Sequence, residues 1–174
     1  SKDAIWEMVM EWLAERLLSR IDHAVTTVAA PLEALRAVFD SHVEFVIEHP
    51  GVPRMMFGEL QSAEATPAKK VAHALMRRYA ERLTRKLEEA KKLGEAAAGI
   101  DSAAAAILFI GMIQGLVMQS MLSGRIEAAR IHAPGVFELF RRGVEARGGE
   151  TEAAHKRNDM DPRSRRKAAR NEKG

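Results

Sequence analysis

Among the side chains of this sequence that could do chemistry, the histidines, the glutamates near them and the single tyrosine stand out, and their spacing points to recognition rather than to a reaction. One Glu-x-x-His step exists, Glu152 to His155, in a C-terminal stretch with almost no large apolar residue. A carboxylate-bridged di-metal bundle needs that step on two core helices, so the sequence does not encode one. His42 and His49, with Glu44 and Glu48 between them, are close in sequence. Their offsets do not bring three ligands to one helix face, so a metal sensor would have to collect ligands from several elements. Neither a Gly-x-Ser-x-Gly elbow, nor a phosphate loop, nor a His-Glu-x-x-His pair occurs. With zero cysteines there is no disulfide and no thiolate site. No catalytic residue, metal ligand or cofactor is therefore expected, and the chain reads as a non-enzyme.

What remains is a set of polar groups on apolar faces. His42 sits among Leu35, Phe39, Val43 and Val46, and Tyr79 among Leu75, Met76 and Leu83. Either could orient a bound molecule by its polar end, although a core residue with its hydrogen bond satisfied is the commoner outcome. Met55, Met56, Met76, Met112 and Met118 supply thioethers that repack around varied shapes, or plain core. The candidate ligand-binding set is Phe39, His42, Met56, Tyr79, Phe109 and Met112.

Helices must hold these side chains. Apolar residues make up 47% and aromatics only 5%, helix formers abound, and no stretch alternates as a strand would. The 174 residues suit one all-α domain. The spacing predicts a first helix from near Lys2, with Ser1 as its cap, along Trp6, Val9, Met10, Leu13, Leu17, Ile21, Ala24, Val25 and Val28, broken at Pro31. A second helix opens at Pro31 or Leu32 and ends at His49-Pro50-Gly51; a short Met-rich piece follows from about Pro53 to Gln61. Thr66-Pro67 starts a helix running to about Lys92, with Gly94 free to turn left-handed. A last helix is expected over about Pro134 to Ala146, with Val136, Phe137, Phe140 and Val144 on one stripe.

Between Asp101 and Arg125, Ser102 to Gly124 carries no charge. A helix apolar all round is either a membrane span or a helix with protein on both faces. Gln114 and Gln119 would be costly against lipid, and Gly111 and Gly115 form a small-xxx-small step that lets another helix come close. Protein on both faces is therefore expected. Ala105, Phe109, Met112, Ile113 and Leu116 would enter the subunit core, and Ala104, Ile107, Leu108, Gly111, Gln114, Gly115, Met118 and Leu122 would face a second copy. With the last helix this gives a four-helix bundle on a two-fold axis, its interface drawn from Leu108, Gly111, Gly115, Met118, Phe137 and Phe140.

The net charge of +3 is not spread evenly. Residues 147–174 hold nine Lys or Arg against five acids, and the rest 18 against 19, so the basicity belongs to a tail led by Gly148-Gly149. That tail lacks the apolar surface to offset its ordering entropy and is expected to be disordered, contacting phosphates only nonspecifically if at all. The helix from Thr66 to Lys92 carries nine basic and three acidic residues, which leaves open an adaptor that meets RNA or an acidic partner. Missing cysteines and the lack of a signal-peptide pattern fit the cytoplasm. On the first helix Ile5, Met8 and Trp12 lie opposite the main stripe, either facing another domain or, for Trp12, packing on a neighbouring helix.

Read in order, Ser1-Lys2-Asp3-Ala4-Ile5 before a long amphipathic helix, Glu48-His49-Pro50-Gly51 with Arg54, Gly94-Glu95, Gly99-Ile100-Asp101 and Ile113-Gln114-Gly115-Leu116 resemble the C-terminal domains of TetR/AcrR-family transcriptional regulators. The resemblance covers about residues 1–146, with 1–29 matching the linker helix that follows the DNA-reading head. It implies a homodimer that senses a small hydrophobic effector and, usually as a repressor, adjusts the spacing of two heads on operator DNA. The family's helix-turn-helix has no counterpart in this sequence, so no DNA-binding residue carries over.

Overall fold

Proline and short polar side chains start the helices of this chain, and glycines stop two of them. In the computed structural model, residues 2–61, 63 and 66–146 are described. They form α1 (Lys2–Thr27), α2 (Pro31–Glu48), α3 (Gly51–Gln61), α4 (Pro67–Lys92), α5 (Ser102–Leu122) and α6 (Ala128–Val144). Among the described residues the only extended pairing is one isolated antiparallel bridge, Ala96 with Glu145. The expected tail, and with it Glu152 and His155, lies outside the described residues.

The starts of α2, α4 and α5 satisfy orphan N–H groups with side-chain acceptors. Thr66 accepts from the Lys69 N–H at 3.1 Å, and Asp101 accepts from Ala103 and Ala104 at 2.9 and 3.1 Å. At α2 the acceptor is remote: the Leu32 N–H donates to Glu95 at 2.9 Å, tying the helix to the loop after α4. Gly94 and Gly124, at φ 73° and 72°, turn the chain out of α4 and α5 in the left-handed region.

The last helix departs from expectation. It begins at Ala128, six residues before Pro134, which sits inside it. A proline there removes one hydrogen bond to the carbonyl four residues back, that of Arg130. Arg130 and Pro134 are both exposed, so water can serve that carbonyl. Buried Ala129 and Ala133 pin the turn to the core, and Arg130 grips Glu44 of α2 with two hydrogen bonds of 2.7 and 2.6 Å. Tertiary contacts thus outweigh the local signal on which the sequence reading relied.

α2 is the central element, buried at Leu35, Val38, Phe39, Val43, Phe45 and Val46, which span more than one stripe. α1 and α4 pack on it and on each other, and α5 and α6 close the opposite side. One aromatic cluster joins three helices: Phe39 of α2, Phe109 of α5, and Phe137 and Phe140 of α6, with ring centroids 5.4 to 6.5 Å apart. The three edge-on pairs among them, all made by Phe109, add about 0.5–1.5 kcal/mol each beyond area burial.

Candidate functional site

α1, α2, α3, α4 and α5 converge on one apolar cavity of about 80 Å³. Leu13 and Leu17 of α1, Phe45 and Val46 of α2, Leu75 and Met76 of α4, and Ile110, Ile113 and Val117 of α5 form most of its wall. α3 closes it with Val52, Pro53, Met56, Phe57 and Leu60. α3 is the least anchored wall, since Pro53 is its one fully buried residue. It is tethered by Glu59, which accepts from Trp6 Nε1 of α1 at 2.9 Å and from the Thr66 hydroxyl.

Two polar side chains reach this wall, His42 and Gln114. His42 is buried, with 9% of the residue exposed, and its Nδ1 meets the Tyr79 hydroxyl at 3.1 Å. Burial pulls its pKa down to about 4, so the ring is neutral near pH 7. Burial likewise pushes the Tyr79 phenol far above its ordinary value. This is a neutral polar pair at the edge of an apolar hole, suited to orienting a ligand but not to holding a charged one. No group of three or more His, Asp or Glu gathers for a metal among the described residues.

The candidate ligand-binding residues divide. His42 and Met56 line the cavity, as does Met76, whereas Phe39, Tyr79, Phe109 and Met112 do not. Phe39 and Phe109 belong to the aromatic core, Tyr79 is fully buried behind His42, and Met112 is half-buried elsewhere on α5. Phe45, Phe57, Leu13 and Leu17 were missed. Phe45 lies off the stripe that carries Phe39, Val43 and Val46, and only the wide burial of α2 reveals it.

The candidate interface divides in the same way. Leu108, Gly111 and Gly115 lie on the exposed face of α5, with Met118 half-buried at its margin. That face also presents Ile107, 71% exposed, and Leu122. On α6, however, Phe137 is 1% exposed and Phe140 is also buried, so both lie in the subunit's own core. The exposed side of α6 carries Ile131, Gly135 and Leu139 instead. Phe137 and Phe140 were picked because large aromatics dominate a stripe, and the same stripe is what the subunit buries for itself.

Of the basic residues on α4, Arg82 pairs with Asp22, Arg77 with Glu81, Lys86 with Glu89 and Lys91 with Glu88. On α1, Ile5, Met8 and Val9 are exposed, and Trp12, half in solvent, meets the His49 ring edge-on at 6.2 Å and lies under Arg16. Trp12 thus packs locally, while Ile5 and Met8 are uncovered in the subunit.

The family described as tetracyclin repressor-like, C-terminal domain, matches residues 28–132, more than half the chain. No curated protein matches. Among solved structures, the transcriptional regulator FadR from Bacillus subtilis in complex with stearoyl-CoA is 18% identical, covering 83% of this chain and 77% of that one at a TM-score of 0.73. SmeT, the repressor of the Stenotrophomonas maltophilia multidrug efflux pump SmeDEF, is 14% identical, covering 85% and 84% at 0.65. AibR in complex with isovaleryl coenzyme A and operator DNA is 18% identical, covering 66% and 61% at 0.54. At these identities the likeness is one of fold.

Proposed function

This chain belongs to the tetracyclin repressor-like family of transcriptional regulators, and on that premise we propose that it is the effector-sensing and dimerisation part of a cytoplasmic repressor. The observation that carries the reading is that α1 itself walls the cavity through Leu13 and Leu17. A molecule entering the cavity would press on the helix that, in this family, leads from the DNA-reading head. Ligand and DNA are then linked through two positions of α1, and the ligand releases DNA by its differential affinity for them. Operator contact would come through an N-terminal helix-turn-helix domain, which lies outside this sequence.

The effector is a small hydrophobic molecule. A cavity of about 80 Å³ is small beside the 300–1,000 Å³ of drug-sized sites. Short apolar groups fit as the wall stands, and longer ones require α3 to move outward. FadR and AibR hold acyl-coenzyme A molecules, which makes short acyl groups the first compounds to test. The second copy of the chain covers the α5 and α6 face. Gly111, Gly115, Gly135 and Gly143 support this, since a Cβ added at any of them meets nothing within 4 Å in the lone subunit. Each helical glycine costs about 1 kcal/mol relative to alanine. Nothing inside the subunit requires that cost, whereas a closely approaching helix does.

Titration calorimetry of the chain with short acyl-coenzyme A compounds tests the cavity. Met56→Trp should fill the hole and weaken binding by at least about tenfold, or ~1.4 kcal/mol, with dimer mass unchanged. Equal binding by the variant would place the effector elsewhere.

A further inference from the structure

His42 and Tyr79 carry more information than a shared hydrogen bond. Their contact runs from the phenol oxygen to Nδ1 at 3.1 Å, and a neutral imidazole has one N–H to place on Nδ1 or Nε2. Suppose Nδ1 donates to the phenol. The fully buried hydroxyl of Tyr79 would then need an acceptor for its own proton, and none besides His42 exists among the described residues. Suppose instead that the phenol donates to Nδ1. Both atoms are then satisfied, and the ring proton sits on Nε2. The second arrangement moves the one unpaired donor from the enclosed hydroxyl to Nε2 and is favoured if Nε2 has somewhere to donate.

Nε2 has no protein partner among the described residues, and it is not sealed off: the one enclosed side-chain nitrogen or oxygen without a partner is Arg141 Nε. His42 lines the cavity, the space that this accessible nitrogen can meet. The other polar side chain at the wall is the Gln114 amide, and no Lys, Arg, Asp or Glu lines it. Resting on the effector-site reading above, we infer that the cavity selects an uncharged apolar molecule bearing one hydrogen-bond acceptor, such as the carbonyl oxygen of a ketone, ester or thioester, which accepts from His42 Nε2–H. Tyr79 is the positioning residue: it fixes the tautomer and never meets the ligand. An anion is disfavoured because it would be buried against a neutral ring.

Three probes of nearly one shape test this on the 15N-labelled chain near pH 7: 2-pentanone, 2-methyl-1-pentene and butanoate. Long-range 1H–15N spectra should show His42 protonated on Nε2, with that resonance shifting on ketone addition and not on alkene addition. Once each is referred to its own transfer from water to hydrocarbon, the ketone should bind about tenfold tighter than the alkene, and about tenfold tighter than butanoate outright. Tyr79→Phe should mix the tautomers and cut the ketone preference to about threefold or less. A dominant Nδ1–H form, or ketone and alkene binding alike while both perturb Met56, overturns the acceptor rule and leaves the cavity assignment standing. No perturbation of His42 or Met56 by any probe overturns the cavity assignment, and the rule with it.

Discussion

His42 shows how one buried side chain sets both ligand chemistry and pH response. Its folded pKa of about 4 lies below the ordinary 6.5 because burial penalises the charged ring. Between those values the unfolded chain binds more protons than the folded one, so stability rises with pH across that window. His42 thus costs nothing above about pH 6.5, and as pH falls toward 4 it destabilises the fold by up to about 3 kcal/mol. His42→Gln, which keeps a partner for Tyr79, should flatten that part of the urea-unfolding profile relative to the parent chain. A profile of unchanged steepness would mean the ring is not buried neutral. That a polar residue stood on an apolar face was legible in the sequence at His42 and Tyr79 alike. Which of them met the cavity was not, because both lie on inward faces and only packing decides that Tyr79 stands behind His42.

Among the elements, α5 was read best. Its two faces divide as its composition implies, with Phe109, Ile113 and Leu116 inside and Ile107, Leu108, Gly111 and Gly115 outside. Its length and apolarity would also let it cross a membrane. Yet the face carrying Phe109 is committed to α2 and α6, and the outer face bears Gln114, so a second protein surface suits it better than lipid. Gly111 then yields opposite expectations for subunit and pair. With open space around its Cα, Gly111→Ala should raise helix stability in a monomer by about 0.5–1 kcal/mol, whereas Gly111→Leu should hold two helices apart and raise the dimer dissociation constant at least about tenfold. Circular dichroism checks the first and light scattering the second; unchanged mass for Gly111→Leu at micromolar concentration would remove α5 from the interface. α6 was read less well for a related reason. Pro134 is a strong local stop signal, and the contacts that override it, Glu44 with Arg130 above all, join residues far apart in sequence.

At the scale of the whole molecule, the proposed dimer needs one apolar set buried within the subunit and another left for its copy, and α6 carries candidates for both. Phe137 belongs to the first set, 1% exposed within the aromatic cluster, and Leu139 to the second, 73% exposed. The sequence shows two apolar side chains two positions apart; only the fold shows that one is enclosed and the other exposed. Phe137→Arg would strand a charge inside a core whose total stability is of order 5–15 kcal/mol, and should give no folded protein. Leu139→Arg changes the lone subunit by no more than about 0.5 kcal/mol. Across a two-fold axis, however, every substitution occurs twice, so two arginines would face the same apolar seam. The expected product is a folded monomer that keeps its helix content and binds ligand in the cavity. Dimer mass retained by Leu139→Arg would move the seam off α6, and loss of folding would place Leu139 in the subunit's own core.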